Sequence, residues 1–582
     1  MPSPSQSRRL RALLASPLAV AALGTGLVVG TAGTSAHAAA CPHAEARVTH
    51  AKAGTTPAYT AVRGCIASFD GTPIVYNLFT PATAGAKHPA YAILVGHGWG
   101  GSGDTTPDAN LVRAGYAELT WDARGFGQSG GVAEVDSPES EGRDVSALID
   151  DVLAPRADIA RDTNRHSSSY RQPAVGMLGA SYGGGIQLST AAFDQRVKAI
   201  VPEWAWNDLR YSLFPGGAIK LGWGELLFGA GLAGIAQGHA TPSGTAGMQT
   251  GGYDPNIYKA EAEGLALGFP RAQSLAWFGQ RSMVSWGAGR AGHVPHVPTL
   301  LVQGTVDTLF NLSEAQANLT EIKKADPKTT VKLIAFCGGH VSCPTGDGFA
   351  DTPRSGFQKG VNDDTFIENA AIHWFDVYLR HVHGAKDTLP PVLAQDQAGT
   401  WHPLSSFPTA ARPGHATYVQ KPVSGTVVSA NAPDAADRNA GGYSSAVVDA
   451  PSPSGDPTTV TVPVLTATRD LLIAGEGHVN LDATVNGPST DLFYKLVDEK
   501  TGQVLDLQTS AVRLDNTDLA NNGADAGFTT RHVSLDLVGV SWLLAKGDTL
   551  DLQVSTSSLP FVPNRGAAVV QLAGTVAVPV AN

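Results

Sequence analysis

Hydrophobic residues in the first two thirds of the chain fall into two alternating rhythms. Short apolar runs at 91–95, 117–121, 174–178 and 197–201 are bounded by Gly, Asp, Ser or Pro, and runs of that length predict buried strands. Between them the spacing lengthens to a helical period, as at Val145, Leu148, Ile149 and Val152, which share one helix face. Strands alternating with helices predict an α/β fold with a doubly wound, mostly parallel sheet. Near Asp208 the rhythm is lost in a Gly-rich stretch carrying Phe214, Trp223 and Phe228, and it returns at 299–304 and 331–336. Residues 208–296 are therefore expected to form a helical cap over the sheet's active edge. A helix over about 364–379, with Phe366, Ala370, Trp374 and Tyr378 on one stripe and Asp363 as its cap, closes this unit near residue 385.

From there the period becomes two. Val479, Leu481, Ala483 and Val485 alternate with polar residues, as do Val533, Leu535 and Leu537, then Leu550, Leu552 and Val554. Half-buried antiparallel strands have this pattern, and Glu499-Lys500-Thr501-Gly502 supplies a hairpin between two of them. Residues 386–582 are expected to be a separate all-β domain, a sandwich or jelly roll.

Composition narrows the possibilities. The 582 residues are 43% hydrophobic and 16% charged, which excludes disorder as the main state. A formal charge of -11 argues against a nucleic-acid partner. Residues 1–38 combine Arg8, Arg9 and Arg11, an apolar run at 13–29 and the small-x-small site Ala36-His37-Ala38, which together predict a signal peptide and a secreted, extracellular product. Ser7-Arg8-Arg9-Leu10 is half of a twin-arginine motif, so either export route remains open. Gly, Ser, Pro and Thr dilute the leader's apolar run, and no stable membrane insertion is expected once it is removed. The four cysteines form two local pairs, Cys41 with Cys65 and Cys337 with Cys343, which in an oxidising compartment predict two disulfides. Neither pair has the C-x-x-C spacing of a zinc knuckle, so no metal is expected.

Gly179-Ala180-Ser181-Tyr182-Gly183 fits G-x-S-x-G between a predicted strand and helix, a sharp turn that projects a serine hydroxyl. A nucleophilic serine needs a base and the base an orienting acid, in the order Ser, acid, His for such a sheet. Asp307 and His340 both follow predicted strands and are the candidates, with Asp351 in reserve as the acid and His97 and His373 as weaker bases. The oxyanion hole calls for the backbone N–H of Tyr182 and a second donor from Gly96-His97-Gly98-Trp99-Gly100-Gly101, for which Trp99 N–H is chosen. Glu203 and Asp208, just beyond the strand after the nucleophile helix, are candidates to hold a substrate ammonium; ordinary salt bridges are the alternative.

Taken together these residues resemble the Xaa-Pro dipeptidyl-peptidase-like family of serine hydrolases, which includes cocaine esterase and α-amino-acid ester hydrolases. Gly-Ala-Ser181-Tyr-Gly-Gly is similar to the family's nucleophile motif, Asp122-Ala-Arg124-Gly-Phe-Gly-Gln-Ser129-Gly to its second-strand turn, and Trp206-Asn207-Asp208-Leu209 to the start of its cap. Asp396-Gln-Ala-Gly-Thr-Trp401 resembles the entry to its jelly-roll domain. Several relatives carry a tyrosine side chain in the oxyanion loop where this chain has Trp99. The resemblance implies an α/β-hydrolase without cofactor that cleaves peptides through an acyl-serine, with an esterase or amidase of small acyl or α-amino-acid esters as the alternative. A surface- or carbohydrate-binding protein, using aromatics such as Trp401 and Trp542, is the alternative from another class.

Overall fold

The structure, a computed structural model, describes residues 45–49, 57–240, 251–289, 293–343, 363–408, 417–429, 444–487, 489–515, 528–564 and 567–581. The predicted signal peptide at 1–38, Cys41 and Asp351 lie outside the described residues. Strands β1 (Glu45–Thr49), β2 (Tyr59–Ala67) and β3 (Pro73–Pro81) form an antiparallel lead-in. The apolar runs considered above do not predict it: β2 is mostly half-buried, and β3 carries Asn77 and Thr80 among its apolar residues.

The parallel part follows. It comprises β4 (Ala92–Val95), β5 (Ala117–Trp121), β6 (Val175–Ala180), β7 (Val197–Glu203), β8 (Thr299–Gly304), β9 (Val331–Phe336) and β10 (Val392–Gln395), and β11 (Trp401–Leu404) is added antiparallel. The sheet runs β1-β2-β3-β5-β4-β6-β7-β8-β9-β10-β11, with parallel pairing from β5 through β10. β4 and β5 are buried at every position, and so is β8, as continuous apolar strands covered on both faces must be. Strand order reverses between β4 and β6, which makes the loops leaving these two strands the topological switch point where α/β sheets bind ligands.

The helix Glu141–Leu148 and the π-turn Ile149–Leu153 bury Val145, Leu148, Ile149 and Val152 together, as their spacing predicts. The cap is helical as expected, with helices Leu209–Leu213, Leu221–Ala240, Pro255–Leu267, Ala272–Gly279 and Met283–Gly289 inserted between β7 and β8. Glu314, at the start of the helix after β8, ties it down by accepting from the N–H groups of Asn207 (2.6 Å) and Asp208 (2.9 Å). No helix among the described residues is long and apolar enough to cross a membrane.

The expected boundary at residue 385 moves. β10 and β11 lie beyond it yet belong to the hydrolase sheet, because the buried run Val-Leu-Ala-Gln of β10 pairs with β9 and covers an edge that would otherwise stay open. The all-β unit starts with the strand Thr417–Ser429 and is antiparallel among its described strands. Its strand His478–Asn486 alternates buried and outward residues, with Val479, Leu481, Ala483 and Val485 all fully buried. Trp401 and Trp542 are only 5% and 1% exposed, which places both in cores and removes them as surface-binding aromatics.

Candidate active site

Ser181 stands between β6 and the helix Tyr182–Phe193 with φ 61° and ψ -120°, a backbone conformation that L-residues rarely adopt and that holds its hydroxyl above the sheet. The elbow is stapled by Ser181 N–H donating to Glu203 O (2.9 Å) and by Gly184 and Gly185 N–H donating to Ser181 O (2.8 and 3.0 Å). Gly183 is required by close approach: a Cβ there would lie 2.2 Å from Gly96 O, in the loop that leaves β4. The motif thus brings nucleophile and oxyanion loop together.

Asp307 follows β8 and is fully buried. Its Oδ1 accepts from Leu309 N–H (2.9 Å) and Phe310 N–H (3.1 Å), and its Oδ2 from His340 N–H (3.1 Å). The carboxylate can only accept, so His340 Nδ1 donates to Oδ2 (2.7 Å), and Nε2 is left to accept from Ser181 Oγ (2.8 Å). Trp204, Trp223 and Phe310 pack their rings within 5.4–5.8 Å of the imidazole centroid and confine it. A disulfide joins Cys337 to Cys343 with a Cα separation of 5.1 Å, so His340 sits in a loop closed at both ends. Cys65 is also disulfide-bonded, and its expected partner Cys41 lies outside the described residues.

The competing histidines are occupied elsewhere. His97 Nε2 accepts from Ala123 N–H (2.9 Å), so its Nδ1 donates to Gly98 O (2.7 Å), and burial pushes its pKa down. This neutral ring ties the oxyanion loop to the turn after β5. His373 is paired with Lys386 O on an outer helix. Tyr182 N–H is the first of its helix, beyond reach of any intrahelical carbonyl, and points from the residue after the nucleophile. Trp99 lies in the turn Gly98 to Gly101; its indole Nε1 donates to Leu227 O of the cap (2.9 Å), so only its backbone N–H remains as an oxyanion donor.

Ser181, Tyr182 and Trp99 open on a cavity of about 130 Å³ whose other walls are mostly apolar cap residues, among them Leu213, Phe214, Phe228, Ile257 and Phe278. Neither Glu203 nor Asp208 lines it. Asp208 caps the helix Leu209–Leu213 and holds Arg210 by two nitrogens, Nε at 2.8 Å and Nη2 at 2.7 Å, so its charge is already neutralised. The acids that do line the cavity are Glu225 and Glu261, on two different cap helices, and burial together with the charge of Glu225 pushes Glu261 up to about 7. Lys220 also lines it, but its Nζ is engaged by Thr308 O and Leu309 O (2.7 and 3.1 Å). Sequence reasoning misses these three; Glu225 alone leaves a signal, a single acid in the apolar run 221–228.

Comparisons with known proteins extend over both domains. Residues 70–342 match the X-Pro dipeptidyl-peptidase (S15 family) and residues 383–567 match the X-Pro dipeptidyl-peptidase C-terminal non-catalytic domain. An uncharacterised 31.7 kDa protein of Escherichia coli is 35% identical over 125 residues, 21% of this chain and 39% of that protein. The chain therefore spans less than half the length of the curated relatives it matches. Among solved structures, a CocE/NonD family hydrolase from Staphylococcus aureus shares 15% identity over 93% of this chain and 96% of its own, with a TM-score of 0.60. An α-amino acid ester hydrolase shares 17% over 92% and 98%, with a TM-score of 0.62. An aminopeptidase from the marine sediment archaeon Thaumarchaeota archaeon shares 17% over 90% and 97%, with a TM-score of 0.60. At such identities the likeness is one of fold. The two family matches, however, follow one another in order and take up most of the chain, and on them this chain belongs to the X-Pro dipeptidyl-peptidase family of serine hydrolases.

Proposed function

We propose that this protein is an exported serine hydrolase that cleaves peptides through an acyl-Ser181 intermediate and favours substrates with a free α-amine. The observation that carries this reading is the unbroken relay from Ser181 Oγ through His340 to Asp307, at 2.8 and 2.7 Å. In the first step Ser181 Oγ attacks the substrate carbonyl carbon while its proton passes to His340 Nε2. Asp307 keeps the imidazole in the required tautomer and stabilises the imidazolium, and the N–H groups of Tyr182 and Trp99 receive the oxyanion. The tetrahedral adduct collapses as His340 returns the proton to the leaving amine or alkoxide, which departs. Water then attacks the acyl-serine by the same route, yielding the acid and free Ser181.

The amine preference rests on Glu225 and Glu261, two carboxyl groups on the walls of a mostly apolar cavity that interact with each other and have no salt bridge to a cation among the described residues. A substrate ammonium can replace the proton that keeps them together. The apolar walls favour a second reading, hydrolysis of small acyl esters. Export is supported by the leader and by the Cys337–Cys343 disulfide. The test is labelling by a fluorophosphonate together with turnover of alanyl-prolyl-nitroanilide beside nitrophenyl butyrate. Ser181→Ala is expected to abolish labelling and both activities, and His340→Ala to do nearly as much damage, because triad members act as a unit. Labelling at another serine, or greater damage from His97→Ala in a folded protein, would overturn the assignment. Turnover of the butyrate alone would select the ester reading.

A further inference from the structure

The loop that carries Asp307 is gripped from outside its own sheet. Gln508 belongs to the all-β domain, 201 residues further along the chain, and its Nε2 donates to both Thr305 O (2.8 Å) and Asp307 O (3.0 Å). One carbonyl lies two residues before the acid and the other is the acid's own, so one buried amide holds the peptide plane that follows Asp307 and ties it to the plane that precedes Val306. From the cap, Lys220 Nζ takes the next two carbonyls, Thr308 O and Leu309 O. Thr308 Oγ1 receives Trp223 Nε1 (3.0 Å) and donates to Val447 O of the β domain (2.8 Å). The β domain bends sharply to make its contact: Asp506 and Leu507, just before Gln508, both have positive φ, 48° and 61°. Ser541 N–H donates to Asp506 Oδ2 (2.5 Å) and holds that turn in place. Backbone strain of this kind persists only where surrounding structure imposes it.

We propose that the C-terminal domain, whose family description is non-catalytic, takes part in the reaction, with Gln508 as the positioning residue for Asp307; this rests on the proposed triad. A tilt of the Asp307 backbone swings the carboxylate, the carboxylate turns the imidazole, and the imidazole leaves the Ser181 hydroxyl. The amide suits this place because it donates without carrying charge. A lysine or arginine there would compete with His340 for the carboxylate, whereas glutamine fixes the loop and leaves the negative charge to the imidazolium.

The experiment compares Gln508→Met with Gln553→Met in the full-length protein. Gln553 is an equally buried glutamine of the same domain that bonds the backbone of Ser452, its Nε2 to the carbonyl (3.2 Å) and its Oε1 from the N–H (2.8 Å), away from Asp307. Misplacing a reacting group by a fraction of an ångström to an ångström costs on the order of 10- to 100-fold. Gln508→Met should therefore lower kcat by about that factor with KM within about twofold. It should also move the acidic limb of the kcat/KM profile to lower pH, because a loosened carboxylate stabilises the imidazolium less. Gln553→Met should lower Tm and leave kcat and the profile in place. If Gln508→Met does not fold, Gln508→Asn, whose amide stops one methylene short of the loop, is read by the same criteria. An unchanged kcat, an unshifted profile, or parallel losses of kcat and Tm in the two variants would overturn the inference. Failure of the triad itself would be seen separately, as Ser181→Ala retaining turnover.

Discussion

Glu225 and Glu261 put two carboxyl groups on the walls of the cavity that contains Ser181, and their proximity would give the proposed amine recognition a pH dependence. Glu261, pushed up to about 7, holds its proton below that pH and releases it above. A peptide α-amine keeps its own proton to about pH 8, so the ammonium and the ionised pair coexist best between about 7 and 8. A charge-assisted contact is worth roughly 1.5 to 3 kcal/mol, with the lower end fitting the exposed Glu225. Acetylating the amine of alanyl-prolyl-nitroanilide should thus lower kcat/KM by about tenfold at pH 7.5 and by clearly less at pH 5.5. Glu261→Gln should flatten that difference; a ratio independent of pH would remove Glu261 from substrate recognition. Legibility in the sequence differs sharply among these residues. Ser181, Asp307 and His340 could be found because each leaves a strand whose apolar run is visible, and the fold then orders their roles. Glu261 lies in Lys-Ala-Glu-Ala-Glu-Gly, where it looks like any solvated helix charge, and its meeting with Glu225 across two helices has no period to betray it.

At the scale of elements, β5, β8 and β9 coincide with runs read directly from the chain, because parallel strands covered on both faces, β9 at every position but Lys332, need no alternation. β10 and β11 escaped into the neighbouring domain because each has four residues and the Asp396 turn between them reads as a domain entry. The loop from Cys337 to Cys343 leads to a separate expectation. Its two cysteines are only six positions apart, so its closure removes little entropy from the unfolded chain, yet it brackets His340. Replacing both cysteines by serine should lower turnover several-fold while shifting Tm by about 2 °C or less. A large Tm loss with unchanged kcat, measured by calorimetry beside steady-state kinetics, would make the bridge a general staple instead of a brace for the base.

The whole molecule buries several carboxyl groups in a way that sets its response to pH. Burial pushes Glu141 and Glu314 up to about 7 and Asp506 up to about 8, and Asp136 is raised well above its usual range by burial and by Glu141. Below those values these groups keep their protons in the fold, whereas in the unfolded chain they ionise near pH 4. The unfolded state therefore binds fewer protons between about pH 4 and 8, and stability declines as pH rises through that window and levels off above it. Tm should be lower at pH 8 than at pH 5.5 by roughly 5 °C or more, and a flat or rising Tm would show that these acids are ionised in the fold. Each domain's class could be read from its period, but the meeting of Gln508 with Asp307 could not, since it joins a β-strand rhythm to a strand-exit loop 201 residues away. That long reach also bears on biosynthesis. A ribosome that has completed the parallel sheet has not yet made Gln508, so the nascent hydrolase already carries Ser181, Asp307 and His340 but lacks the clamp on its acid loop. If Gln508 positions the acid as proposed, full activity waits until the chain through Gln508 has been made and packed against the acid loop, so the hydrolase sheet alone is an incomplete catalyst.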